Sequence, residues 1–147
     1  MSRPQSDEYA EYYGRYIDRV PDGDVVAMLE SQGNATQELL ASIGEEKAGY
    51  RYEPGKWSIK QVVGHITDSE RVFAYRLVAF ARGEKQPLPG FDQDEYMETA
   101  NFDASSLGDL AKGLASTRQA TLTLVRSLDD EAWSRRGIAS DNPVSAR

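Results

Sequence analysis

Residues 50–76 read YRYEPGKWSIKQVVGHITDSERVFAYR and contain the clearest helix start in the chain. Ser58 followed three residues later by Gln61 is a capping box: the hydroxyl accepts the N–H of the third helical residue, and the Gln side chain reaches back to the cap. Trp57 before the cap and Val62 at the fourth helical position form a hydrophobic staple. Ile59, Val62, Val63, Ile66, Phe73, Leu77 and Phe80 then recur at helical spacing up to Arg82, and Gly83 supplies the stop. This spacing predicts one long amphipathic helix.

The pattern stays helical on either side. Asp24 caps a run through Val25, Leu29, Thr36, Leu39, Leu40 and Ile43 that ends at Gly44, with Gly33 weakening its middle. Before it, Tyr9, Tyr12, Tyr13, Tyr16, Ile17 and Val20 give a short helix with a tyrosine face, opened by Ser6, Asp7 and Glu8. A clasp packed across the domain is the reading favoured over a binding surface. Residues 83–104 hold two Pro, two Gly and no sustained period, apart from a short helical turn predicted around 92–98. So long a connection suits a crossover, which in a bundle lets consecutive helices run parallel.

Leu107, Leu110, Leu114, Thr121, Leu124, Val125 and Leu128 predict a third long helix, opened by Asp103 or by Ser106 with Asp109. Asp129 caps a short turn stapled by Leu128 and Trp133. After a loop at 137–142, Asn142 then Pro143 reads as an N-cap followed by proline at the first position of another helix. The expected fold is all-α: a single domain over residues 1–147, a four-helix bundle incomplete at its C-terminal end, its fourth helix absent or barely begun.

Composition mainly excludes. With 17 Lys and Arg against 24 Asp and Glu, the net charge of -7 argues against a nucleic-acid partner, which needs a basic face. No cysteine means no thiolate zinc site, iron–sulfur ligation, disulfide or Cys nucleophile. One histidine excludes a multi-His metal site built from this chain alone. The N-terminus lacks a basic region followed by an apolar run, and no stretch approaches the ~20 apolar residues of a spanning helix, so a cytoplasmic protein with no membrane partner is expected. The apolar share, 39%, is modest.

His65 lies one position off the apolar stripe, at a bundle seam, with Asp68 and Ser69 on the same side. Asp68 could fix the imidazole tautomer or simply face solvent. A lone seam histidine is more often a hydrogen-bonded structural residue than a ligand. Neither HExxH nor ExxH is present, since Ile66 follows His65 and Val62 precedes it by three. Asp92, Asp94, Glu95 and Glu98 cluster in the long connection, where acidic residues are ordinarily solvated. The glycines form no phosphate-binding fingerprint.

The opening stretch, with PLPGFDQDEY at 87–96, LDDEAWSRRG at 128–137 and NPVS at 142–145, resembles the DinB/YfiT-like superfamily over nearly the whole chain. The resemblance implies a four-helix bundle with a long crossover between its second and third helices. It further implies a divalent metal, zinc or nickel, held by three histidines, one on the second bundle helix and two at HxxxH spacing on the fourth. His65 matches the first; residues up to Arg147 hold no counterpart of the other two. Three imidazoles would leave positions open for water or a thiol. The implied function is a metal-dependent small-molecule enzyme of thiol S-transferase or hydrolase type, acting with a low-molecular-weight thiol and forming a homodimer. The alternative is a non-catalytic helical module acting through self-association or partner-helix binding.

Overall fold

A computed structural model describes residues 2–147. Its helices are α1 (Glu11–Ile17), α2 (Val25–Ser42), α3 (Ile59–Ala81), α4 (Gln93–Thr99), α5 (Leu107–Arg126) and α6 (Asp130–Ser134), with strands β1 (Arg136–Ala139) and β2 (Asn142–Ser145) after them. The long helices begin where a capping side chain stands. Asp24 accepts from the N–H groups of Val26 and Ala27, and Ser106 from that of Asp109, so Asp103 is not the cap of α5. Both halves of the Ser58–Gln61 capping box are formed. Each cap satisfies helix-end donors that would otherwise be orphaned, contributing about 1 kcal/mol. Gly83, at φ +86°, follows the end of α3 in the left-handed conformation that suits a helix stop.

α5 is the spine of the bundle. It packs on α2 and on α3, while α2 and α3 barely touch each other. Leu40, Val63, Leu107 and Leu114 form the buried cluster between them, joined by Ala48 from the connection after α2. The crossover seals the adjoining side of α3. A Cβ on Gly64 would run into the ring of Phe102, so glycine here permits close approach of the 3-10 turn Phe102–Ala104. Ser58, fully buried, donates to Asp103 Oδ1 at 2.5 Å, and Arg51 Nη2 donates to Asp103 Oδ2 at 2.7 Å. Asp103 therefore ties the start of α3 to the crossover.

Two expectations are corrected. α1 starts at Glu11 behind Ala10, which makes no side-chain cap bond; Ser6, Asp7 and Glu8 lie in the preceding turn. The carboxylate of Glu8 instead accepts the N–H of Gln5 at 2.6 Å and, though itself buried, pairs with Arg147. Residues 142–145 form no helix. They pair antiparallel with β1 in register Ala139↔Asn142 and Ile138↔Pro143. Ser140 (φ 50°) and Asp141 (φ 62°) form a two-residue turn with both central residues left-handed, whose twist matches that of the strands. Pro143 falls at an outward-facing position, where its missing N–H breaks no ladder bond. Leu88 of the crossover bridges Ala139, so the hairpin docks on a second small core of Phe80, Leu88 and Ala139. Tertiary docking overrode the local helix-start signal.

Candidate functional site

Because α5 holds α2 and α3 apart, a trough runs between them. Its walls carry apolar side chains that a finished core would bury: Leu39 of α2 is 61% exposed and Phe73 of α3 is 52% exposed, with Val62 and Ile66 also open. His65 sits on this side of α3, half-buried. Its ring lies against Trp57, centroids 4.8 Å apart and planes inclined at 51°. No hydrogen bond joins the imidazole to any described residue, so both ring nitrogens keep their capacity to bind. Asp68 does not orient it, since its carboxylate accepts from Arg71 Nη1 at 2.9 Å. Of the acidic residues of the crossover, Asp92 caps α4 through the N–H groups of Asp94 and Glu95, and Asp94 lines the trough beside Trp57, Val62 and Ile66.

Below His65 a largely apolar cavity of about 610 Å³ opens towards the hairpin. Ser69, Phe73 and Arg76 of α3 line it together with Tyr13 of α1 and Trp133 of α6. The tyrosine face is thereby divided: Tyr9, just before α1, faces this cavity with Tyr13 and Ile17 of α1, whereas Tyr12 and Tyr16 point outward beside Arg15. Across the trough floor Arg118 donates to both oxygens of Glu70, at 2.8 and 2.9 Å, and to the carbonyl of Leu29 at 2.8 Å. One side chain thus links α2, α3 and α5. Gly33 makes room for it, since a Cβ there would lie 3.3 Å from Arg118 Cγ.

Residues 28–147 match the model of the DinB superfamily. The chain belongs to the DinB superfamily. One relative of this DinB chain, from Oceanobacillus iheyensis, bears the name "Putative metal-dependent hydrolase". The two are 32% identical over 68 residues, a match spanning 46% of this chain and 39% of that protein. Among solved structures, YfiT from Bacillus subtilis, described as a probable metal-dependent hydrolase with an unusual four-helix bundle topology, superposes with a TM-score of 0.74 at 16% identity over 99% of this chain and 79% of its own. A mycothiol-dependent maleylpyruvate isomerase gives 0.67 at 15% identity, covering 88% of this chain and 54% of its own. A DinB-like protein from Bacillus subtilis gives 0.57 at 21% identity, covering 85% and 76%. These structural likenesses establish the DinB bundle fold.

A metal of the kind named for these DinB relatives needs a set of donors. Among the described residues no group of three His, Cys, Asp or Glu could hold an ion. His65 offers one imidazole, and the described residues do not complete a metal site. Two features of the site escaped the sequence. Trp57 reads as a staple yet also walls the imidazole, and Glu70 with Arg118 forms the floor.

Proposed function

We propose that this chain is the scaffold of a metal-dependent small-molecule enzyme in which His65 is one ligand of a divalent ion, zinc or nickel, the other donors lying outside residues 2–147. The observation that carries the reading is an imidazole with no hydrogen bond to any described residue, braced by Trp57 and lining an apolar cavity. A buried structural histidine usually spends at least one ring nitrogen on a partner. The names of the relatives support metal dependence, and the mycothiol dependence of one structural neighbour supports a low-molecular-weight thiol as co-substrate. Within such a site this chain would bind and orient: Trp57 restricts the imidazole, and the apolar walls exclude water from the ligand. The hydrolase and the thiol S-transferase remain the two reaction types to be separated by assay.

Metal content decides the matter. Protein expressed from its complete reading frame is expected to hold about one zinc or nickel per chain by mass spectrometry, and the His65→Ala variant to lose most of it, since losing one imidazole removes a metal–nitrogen bond. Equal metal content in the two proteins, or none in either under saturating zinc and nickel, would overturn the reading.

The exposed stripe of Leu39, Val62, Ile66 and Phe73 motivates a second reading, a helical module that self-associates through the trough. It predicts a dimer by sedimentation that Ile66→Asp dissociates; a well-behaved monomer counts against it.

A further inference from the structure

The cavity beneath His65 contains a buried positive charge that no carboxylate among the described residues neutralises. Arg76 is 8% exposed and lines the cavity. Its Nη2 donates to the carbonyl of Pro89 at 2.8 Å and to Ser140 Oγ at 3.0 Å. Both acceptors are neutral. A guanidinium carries five N–H donors, and those on Nε and Nη1 find no acceptor among the described residues. They are not sealed in, because among the described residues the buried side-chain polar atoms without a partner are Ser145 Oγ and Arg147 Nε. The rings of Phe73 and Phe91 lie 5.7 and 5.9 Å from the guanidinium carbon, which further lowers the polarity around it.

The two carboxylates bordering this cavity, Glu8 buried and Glu70 partly buried, are treated differently. Glu8 has Arg147, and Glu70 has Arg118. Arg76 forms no ion pair among the described residues. A buried charge without its counter-ion is costly, and proteins retain one chiefly where something else supplies the opposite sign. Tying α3 to the crossover and hairpin, the service Nη2 performs, needs donors and no net charge.

Position adds to this. Arg76 follows His65 by eleven residues, about three turns and roughly 16 Å of rise, so both side chains lie on one face of α3. Ser69 falls between them, and Phe73, Leu77 and Trp133 give the intervening space apolar walls. A ligand reaching from His65 towards the hairpin would pass over apolar surface and end at a cation.

We propose that Arg76 binds the carboxylate of a small ligand whose apolar body occupies the cavity between Arg76 and His65. Nη1 or Nε donates the charge-assisted hydrogen bond, and the ring faces of Phe73 and Trp133 hold the body. The proposal deepens the small-molecule reading above by assigning its ligand class, an apolar carboxylic acid, and rests on that reading for the use of the cavity.

Calorimetric titration with 3-phenylpropanoate and its neutral isostere 3-phenylpropanamide tests it, in chelator-treated buffer so that no metal contributes. The acid is expected to bind about tenfold or more tightly than the amide, the difference a hydrogen bond to a charged group makes. In Arg76→Met, which keeps the aliphatic stem, acid affinity should fall to that of the amide while amide affinity holds. Arg76→Lys should keep part of the preference, and covers the case in which Arg76→Met fails to fold. Equal binding of acid and amide by the unaltered protein, no binding of either at millimolar concentration, or a preference that survives in Arg76→Met each overturns the proposal. Failure here with metal uptake intact at His65 leaves the metal reading standing; a carboxylate preference without metal uptake at His65 removes that reading alone.

Discussion

The two sides of α3 are built on opposite terms. On the side towards α5 and the crossover, Val63 is buried in the core, Gly64 lies flush against Phe102, and the start of the helix is tied through Ser58 to Asp103. On the trough side, Val62, Ile66 and Phe73 stand open, and among the described residues His65 has no hydrogen-bond partner and Arg76 no counter-ion. One helix, with one hydrophobic period, serves stability on one face and keeps unsatisfied groups on the other. Functional sites are where local rules are expected to be broken.

Substitutions on the two faces should therefore separate cleanly. Leu107→Ala, in the closed core, is expected to cost about 2–5 kcal/mol in chemical denaturation, the usual loss for emptying a buried leucine site. Gly64→Ala forces a methyl group against Phe102 and should cost about 1–3 kcal/mol, the penalty for overpacking, read as a fall in Tm. Comparable stability of Gly64→Ala and the unaltered protein would mean that the crossover does not clamp α3.

A smaller effect concerns pH. Glu45 lies at the junction of the closed face, where Lys60 Nζ donates to it at 2.5 Å and the Leu107 N–H at 2.9 Å. The Lys60 bond first, and the Leu107 N–H second, hold its carboxyl below the ordinary carboxylate range. A depressed carboxyl stabilises the fold above its unfolded value, about 4.3, and that contribution is lost as pH falls through the lower folded value. Glu45→Gln should accordingly be slightly less stable near neutrality and converge on the unaltered protein in acid, below about pH 4. A stability gap that stays constant down the acid limb would rule out the linkage. The least effect is expected at Ile66→Ser, on the open face, within about 0.5 kcal/mol. A loss there as large as at Leu107 would show that the trough is filled in solution, and would erase the contrast between the faces.

Most of the helical framework was legible because its signals are local. Asp24, Ser58 with Gln61, Ser106 with Asp109, and Asp129 each act within one turn, so neighbouring residues suffice to place the ends of α2, α3, α5 and α6. The hairpin was misread for the same reason: Asn142–Pro143 has the local form of a helix start, but its outcome depends on Leu88 and Phe80, far away along the chain. His65 could be singled out as the sole histidine on a seam, whereas Arg76 looked like any polar residue of an amphipathic helix.

By itself, the sequence determined the helix starts, the amphipathic period of α3, the absence of cysteine among these residues and the family resemblance. Those follow from short-range hydrogen bonding, from periodicity and from composition. Only the tertiary structure decided which face of α3 is sealed and which is open, that Asp68 serves Arg71 rather than His65, and that Arg76 is buried without a counter-charge. Burial and electrostatic compensation depend on groups brought together across long stretches of chain, and a linear pattern does not contain them.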